Sequence, residues 1–252
     1  MLNAVVSGTP GKKPPLMIAH GLFGSARNWG VIARRLSDHR QVIAVDMRNH
    51  GASPWMDQHG YEDLAADLAE VIAAYGGRAD VLGHSMGGKA AMMLALMRPQ
   101  YVSRMVVADI APVAYTHSQL HLIDAMRSVD PRRIEKRSEA DAELTGLVPE
   151  AQVRSFLLQS LDLAGRRWRL NLNVLEAEMD RITGWPEIDR ISNVAVLFLT
   201  GGESSYVAPE SRSTIKRLFP AARFARIPGV GHWLHAEKPR EFEAAVRVFL
   251  DG

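Results

Sequence analysis

With 252 residues, 47% of them hydrophobic and 23% charged, the chain has the make-up of one globular α/β domain or two small ones, not of a disordered protein. A net charge of +2 is too small to suggest a nucleic-acid partner, and the absence of cysteine excludes disulfides, a thiol nucleophile and cysteine zinc sites together. Met1 to Pro15 holds no apolar core of signal-peptide length and the longest strongly apolar run, Ala90 to Met97, cannot span a bilayer, so a cytoplasmic protein with no membrane span is expected.

In chain order, Pro15 to Ala19, Gln41 to Val45, Ala79 to Leu82, Met105 to Ala108 and Val194 to Leu199 are continuous apolar runs. Continuous runs, as opposed to alternating ones, mark strands covered on both faces of a sheet. Arg223 to Ile227 alternates and suits a strand near the sheet edge. Helical stripes separate these runs: Trp29, Ile32, Ala33 and Leu36, then Leu64, Leu68, Val71 and Tyr75, and finally Phe242, Ala245, Val246 and Phe249 behind a helix-opening Pro239. The alternation predicts an α/β fold with a mostly parallel sheet flanked by helices. The rhythm fails between about Pro112 and Trp185, where no strand-like run occurs and Trp168, Leu172, Leu175 and Met179 repeat at helical spacing. Residues 112–187 therefore read as a helical cap inserted into a core made of residues 1–111 and 188–252.

Val81-Leu82-Gly83-His84-Ser85-Met86-Gly87-Gly88 carries G-x-S-x-G between a buried strand and an apolar helix. A serine on such a sharp strand-to-helix turn is held in a strained backbone, lifted above the sheet and set at a helix N-terminus that favours developing negative charge. Ser85 is thus the candidate nucleophile. Acyl transfer also needs two preorganised backbone donors for the oxyanion. The residue after the nucleophile, Met86, supplies one, and Leu22 in the glycine-bearing loop His20-Gly21-Leu22-Phe23-Gly24 supplies the other.

A hydroxyl nucleophile needs an imidazole to take its proton. Of nine histidines, His232 in Val230-Gly231-His232-Trp233 follows the last strand and precedes the last helix, which puts it on the same rim as Ser85. His20, His50 and His84 read as structural, and His232 with His235 lacks a third ligand for a metal site. The orienting acid is open between two carboxylates. Glu203 lies in Gly201-Gly202-Glu203-Ser204, where Ser204 occupies the position expected of an aspartate; Asp109 ends the Met105–Ala108 strand and is preferred. Phe23, Trp185 and Trp233 are candidate pocket residues, Asp46 to Ser53 reads as scaffold, and Arg166, Arg167 and Arg169 read as a solvated helix face.

Together, His20 to Ser25, Asp46 to Ser53, Gly83 to Gly88, Val107 to Pro112, Trp168 to Leu172 and Gly229 to Trp233 resemble the α/β-hydrolase superfamily and, within it, the branch of YbfF-type esterases. The resemblance runs from about Pro15 to Leu250; Asn49, where many members carry glycine, and the aspartate-free Gly202 to Val207 are traits of that branch. It implies an esterase or thioesterase for short to medium acyl groups, with no cofactor, a small acyl ester or thioester as partner, and the acid role on Asp109. C–C bond hydrolysis, perhydrolysis or a non-catalytic ligand receptor on the same scaffold are the alternatives.

Overall fold

The structure, a computed structural model, describes residues 1–252. The first half runs β1 (Ala4–Ser7), β2 (Leu16–Ala19), α1 (Gly30–Leu36), β3 (Val42–Val45), α2 (Tyr61–Ala74), β4 (Ala79–His84), α3 (Met86–Met97) and β5 (Val102–Ala108). An insertion follows, with α4 (Leu120–Ser128), α5 (Arg137–Leu144), α6 (Ala151–Leu158), β6 (Leu161–Asp162), β7 (Arg167–Trp168), α7 (Leu172–Ala177) and α8 (Met179–Thr183). The chain then returns through β8 (Ala195–Gly201), α9 (Ser211–Leu218), β9 (Arg223–Ile227), α10 (Leu234–Glu237) and α11 (Pro239–Asp251).

Seven strands form one sheet in the order β1-β3-β2-β4-β5-β8-β9. All neighbours are parallel except β1, which runs antiparallel to β3. Successive side chains leave a strand on opposite faces. Leu16 and Ile18 accordingly join Trp29, Ile32, Phe242 and Val246 under α1 and α11, while Met17 and Ala19 join the α2 and α3 residues Leu64, Leu68, Ala91 and Leu94. Both faces are covered, which is why β2 and β3 are apolar at every position. The edge strand β1 is only four residues long, and its Val5 and Val6 are exposed.

Parallel pairing brings the strand ends to a common rim: Ala19 opposite Gly83, His84 opposite Ala108, Ala108 opposite Leu199. The loops at residues 20–24, 46–53, 85, 109, 202–207 and 228–233 all leave this rim.

The insertion departs from the sequence reading in two respects. Trp168, Leu172, Leu175 and Met179 do not share one helix: Trp168 ends the two-stranded β6–β7 ribbon, and α7 and α8 are separate short helices. The spacing reported burial, since Trp168, Leu175 and Met179 are buried, but not continuity. Arg166, Arg167 and Arg169 likewise belong to this ribbon and its flanks, not to a helix face, and Arg169 and Arg167 lie 3.0 and 3.8 Å from Asp162.

Candidate active site

Ser85 follows β4 directly and precedes α3, with φ 52° and ψ −121°. A non-glycine residue held there costs about 1–3 kcal/mol, so the turn persists only because its surroundings impose it. The Ser85 amide donates to Ala108 O at 3.0 Å, and its carbonyl accepts from Gly88 and Lys89 amides at 2.8 and 3.1 Å. The flanking glycines are steric necessities: a Cβ on Gly83 would strike the Gly87 carbonyl, and one on Gly87 would strike the carbonyls of Ala19 and His20.

The loop after β2 is fastened through its own peptides. His20 Nδ1 donates to Gly21 O at 2.7 Å while its Nε2 accepts from the Met47 amide at 2.9 Å. Gly21 O also accepts from the Gly24 amide at 3.0 Å, and that oxygen shares a peptide group with the Leu22 N–H. Neither Leu22 N–H nor Met86 N–H donates to any protein group. Both residues line the same cavity as Ser85.

Asp109 ends β5 as Ser85 ends β4, with φ 53°. Its amide donates to Leu199 O at 2.9 Å, and its fully buried carboxylate is fed from three directions. Oδ1 accepts from the Gly201 amide at 3.0 Å; Oδ2 pairs with His232 Nδ1 at 2.7 Å and accepts from the Ser204 hydroxyl. Glu203, the other candidate, is exposed and its side chain bonds neither Asp109 nor His232. The Tyr206 ring stacks on the His232 imidazole, centroids 4.0 Å apart at 19°. His84 Nε2 donates to the His232 carbonyl at 2.9 Å, which ties the histidine's loop to the residue preceding Ser85. Burial, with His232 and His235 nearby, pushes the His84 pKa well below its ordinary value and keeps it a neutral donor.

Ser85 and His232 face a cavity of about 470 Å³ whose walls include Leu22, Phe23, Met86, Trp233 and, from the insertion, Phe156. Trp185 does not reach it: its ring packs against Tyr61, 5.9 Å between centroids, and Tyr61 forms the wall instead. Lys89, one helical turn after the serine, also lines the cavity; its Nζ donates to Thr183 O and Gly184 O at 2.9 and 2.6 Å, and burial lowers its pKa to about 7. No group of three or more His, Asp or Glu side chains is arranged to hold a metal ion.

The sequence marks Ser204 only as the residue standing where an aspartate is expected, and gives no sign that its hydroxyl bonds Asp109 or that the Tyr206 ring stacks on His232. The Asp46–Ser53 segment proves to be a junction. Asp46 Oδ1 accepts from the Ala26 amide at 2.8 Å, His50 Nε2 from the Phe23 amide at 3.1 Å, and the Asn49 carbonyl from the Asn171 amide of the insertion at 3.0 Å. Asn49 sits at φ 65°, the left-handed region where asparagine is the best tolerated substitute for glycine.

Residues 14–239 match the family described as alpha/beta hydrolase fold. The chain is 43% identical over 249 residues to sn-1-specific diacylglycerol lipase ABHD11 of Mus musculus, covering 94% of this chain and 81% of the relative. It is 39% identical over 240 residues to esterase YbfF of Escherichia coli strain K12, covering 94% and 93%. A solved structure of a marine microorganism esterase superposes with a TM-score of 0.93 at 37% identity over 98% of each chain. No helix of this protein is long and apolar enough to cross a membrane. The sheet order, the turn at its centre and these similarities together make the chain a member of the α/β-hydrolase fold family and, at family level, an ester hydrolase.

Proposed function

We propose that this protein is a serine esterase that hydrolyses short to medium acyl esters through an acyl-enzyme on Ser85. The observation that carries the reading is the 2.7 Å pairing of His232 Nδ1 with Asp109 Oδ2 on an imidazole that lines the same cavity as Ser85. With Nδ1 committed to the carboxylate, Nε2 is the nitrogen free to take a proton. Ser85 Oγ attacks the ester carbonyl and its proton passes to His232. The amides of Leu22 and Met86 hold the oxygen that gains charge, and collapse of the intermediate expels the alcohol, protonated by His232. Water, deprotonated by the same imidazole, then attacks the acyl-enzyme; the acid leaves and Ser85 regains its proton. In this reading residues 112–187 form a cap over a core of residues 1–111 and 188–252. The cavity size and the apolar side chains Leu22, Phe23, Phe156 and Trp233 suit a small-molecule ester.

The test combines a fluorophosphonate probe with a chain-length series of p-nitrophenyl and coenzyme A esters. The wild type should be labelled and should turn over the shorter oxygen esters, with thioester turnover deciding whether a thiol is also a leaving group. Ser85→Ala should lose labelling and retain only about 10³-fold acceleration over water. A Ser85→Ala protein with most of its turnover, or a wild type that is labelled by nothing and hydrolyses none of the series, overturns the reading.

A further inference from the structure

Phe23 holds φ at 63°, a conformation that a bulky residue adopts only when its surroundings over-determine it. Its backbone is gripped at both ends. The amide donates to His50 Nε2 at 3.1 Å, and the carbonyl accepts from Ser160 Oγ at 2.9 Å. His50 comes from the loop after β3, whereas Ser160 comes from the insertion, between α6 and β6. His50, Phe23 and Ser160 are all buried, so water does not compete for these bonds.

A ring nitrogen accepts an amide proton only when it carries none itself. His50 Nδ1 donates to Arg48 O at 2.8 Å, which leaves Nε2 as the acceptor. The neutral form is also the one its setting favours: burial first, then the neighbouring His20 and His59, push its pKa well below the ordinary value. The backbone bridge between His50 and Leu170, and the Gly51 amide donating to Arg169 O at 2.8 Å, fasten the same loop to the insertion. Phe23 is therefore clamped between two elements that are themselves joined.

The residue before it is Leu22. Its N–H is oriented on one side by the bonds to Gly21 O and on the other by whatever fixes Phe23. We propose that His50 and Ser160 are positioning residues for the oxyanion hole: by clamping the two ends of Phe23 they hold the Leu22 amide at the angle required by the tetrahedral intermediate, and they make that angle depend on the insertion being seated. The proposal rests on the serine-esterase reading above and goes beyond it, since neither side chain touches substrate.

An oxyanion donor acts mainly where charge develops, so loosening it lowers kcat and leaves KM nearly unchanged. Losing such a donor outright costs about 10²–10³ in kcat, and a misaligned one costs a part of that. Steady-state hydrolysis of p-nitrophenyl butyrate by His50→Leu, His50→Gln and Ser160→Ala, each checked for cooperative thermal unfolding, tests the clamp. Expected losses in kcat are about 10–100-fold for His50→Leu and about 3–10-fold for Ser160→Ala, with KM within about twofold. His50→Gln places an oxygen acceptor near the former Nε2 and should recover most of the loss. Inhibition by a trifluoromethyl ketone, which forms the tetrahedral oxyanion, should weaken in proportion to kcat/KM. Unchanged kcat in both variants, a loss carried by KM, or a glutamine variant no better than leucine overturns the clamp. Should His50→Leu not fold, Ser160→Ala, which removes a single hydroxyl, decides alone by the same criteria. Ser85→Ala run alongside separates the two claims: if it is inactive while the clamp variants are not, only the clamp falls; if it remains active, both do.

Discussion

Ser85 and Asp109 end neighbouring strands in nearly the same way, at φ 52° and 53°, with their amides bonded to the next strand's Ala108 and Leu199 carbonyls. What surrounds them differs. Ser85 is hemmed by backbone: Gly83 and Gly87 leave no room for a Cβ, and a helix starts at once. Asp109 has no glycine beside it, only Ala108 and Ile110, and is held through its carboxylate by Gly201, Ser204 and His232. The Ser85 half of the rim is thus set by local backbone geometry, and the Asp109–His232 half by side chains gathered from three separate loops.

The largest expected effect strikes the side-chain half. Asp109→Asn turns an amide N–H₂ toward His232 Nδ1 and favours the imidazole tautomer whose Nε2 already carries a proton. Activity on p-nitrophenyl esters should fall by about 10³–10⁴-fold. Glu203→Gln should stay within about twofold of wild type, because the exposed Glu203 side chain reaches neither Asp109 nor His232. The reverse outcome, with glutamine at 203 collapsing activity and asparagine at 109 tolerated, would break the contrast between the two halves.

The same contrast explains what was legible in the sequence. The Ser85 turn could be read because its steric demands are written within five residues, from Gly83 to Gly87. The parallel sheet could be read because β2 to β5 and β8 are apolar on both faces. Asp109 emerged only as one of two carboxylates, since nothing near it in sequence records that the Gly201 amide and the Ser204 hydroxyl converge on it. Ser204 stands where an aspartate was expected and bonds the aspartate that stands elsewhere. Trp185, an aromatic near the insertion's end, reads from sequence as a pocket residue, yet it packs on Tyr61, and Tyr61 is the one that lines the cavity. Between about Pro112 and Trp185 the apolar rhythm breaks, but the β6–β7 ribbon leaves no mark in it, because helical spacing reports which residues are buried and not whether the chain between them is one helix.

A smaller effect sharpens the picture of how Asp109 is held. Ser204→Ala removes one of the three donors to its carboxylate and leaves the His232 bond in place. A hydrogen bond to a charged group is worth about 1.5–3 kcal/mol, part of which water recovers, so kcat should fall by about 3–10-fold with KM little changed. Measured kcat within error of wild type would mean that Gly201 and His232 alone orient the acid.

The smallest effect concerns stability, and it lies where the two halves meet. His235 is buried beneath the rim, its ring stacked on Trp29 at 4.2 Å and 11° and set edge-on to His84. Its Nδ1 has no partner. Burial, with His232 nearby, lowers its pKa from 6.5 to about 3. The unfolded chain therefore binds a proton that the folded protein refuses, and the stability this group contributes is complete above pH 6.5 and lost as pH falls from there toward about 3. His235→Phe keeps an aromatic ring against Trp29 and removes the titration. Urea unfolding at pH 7, 6 and 5 should show the wild type losing stability faster than the variant below pH 6.5, the difference shifting by at most about 1.4 kcal/mol per pH unit. His50 and His59 titrate in both proteins and cancel in the difference, so parallel stability curves would mean that the His235 ring takes up a proton within the folded state.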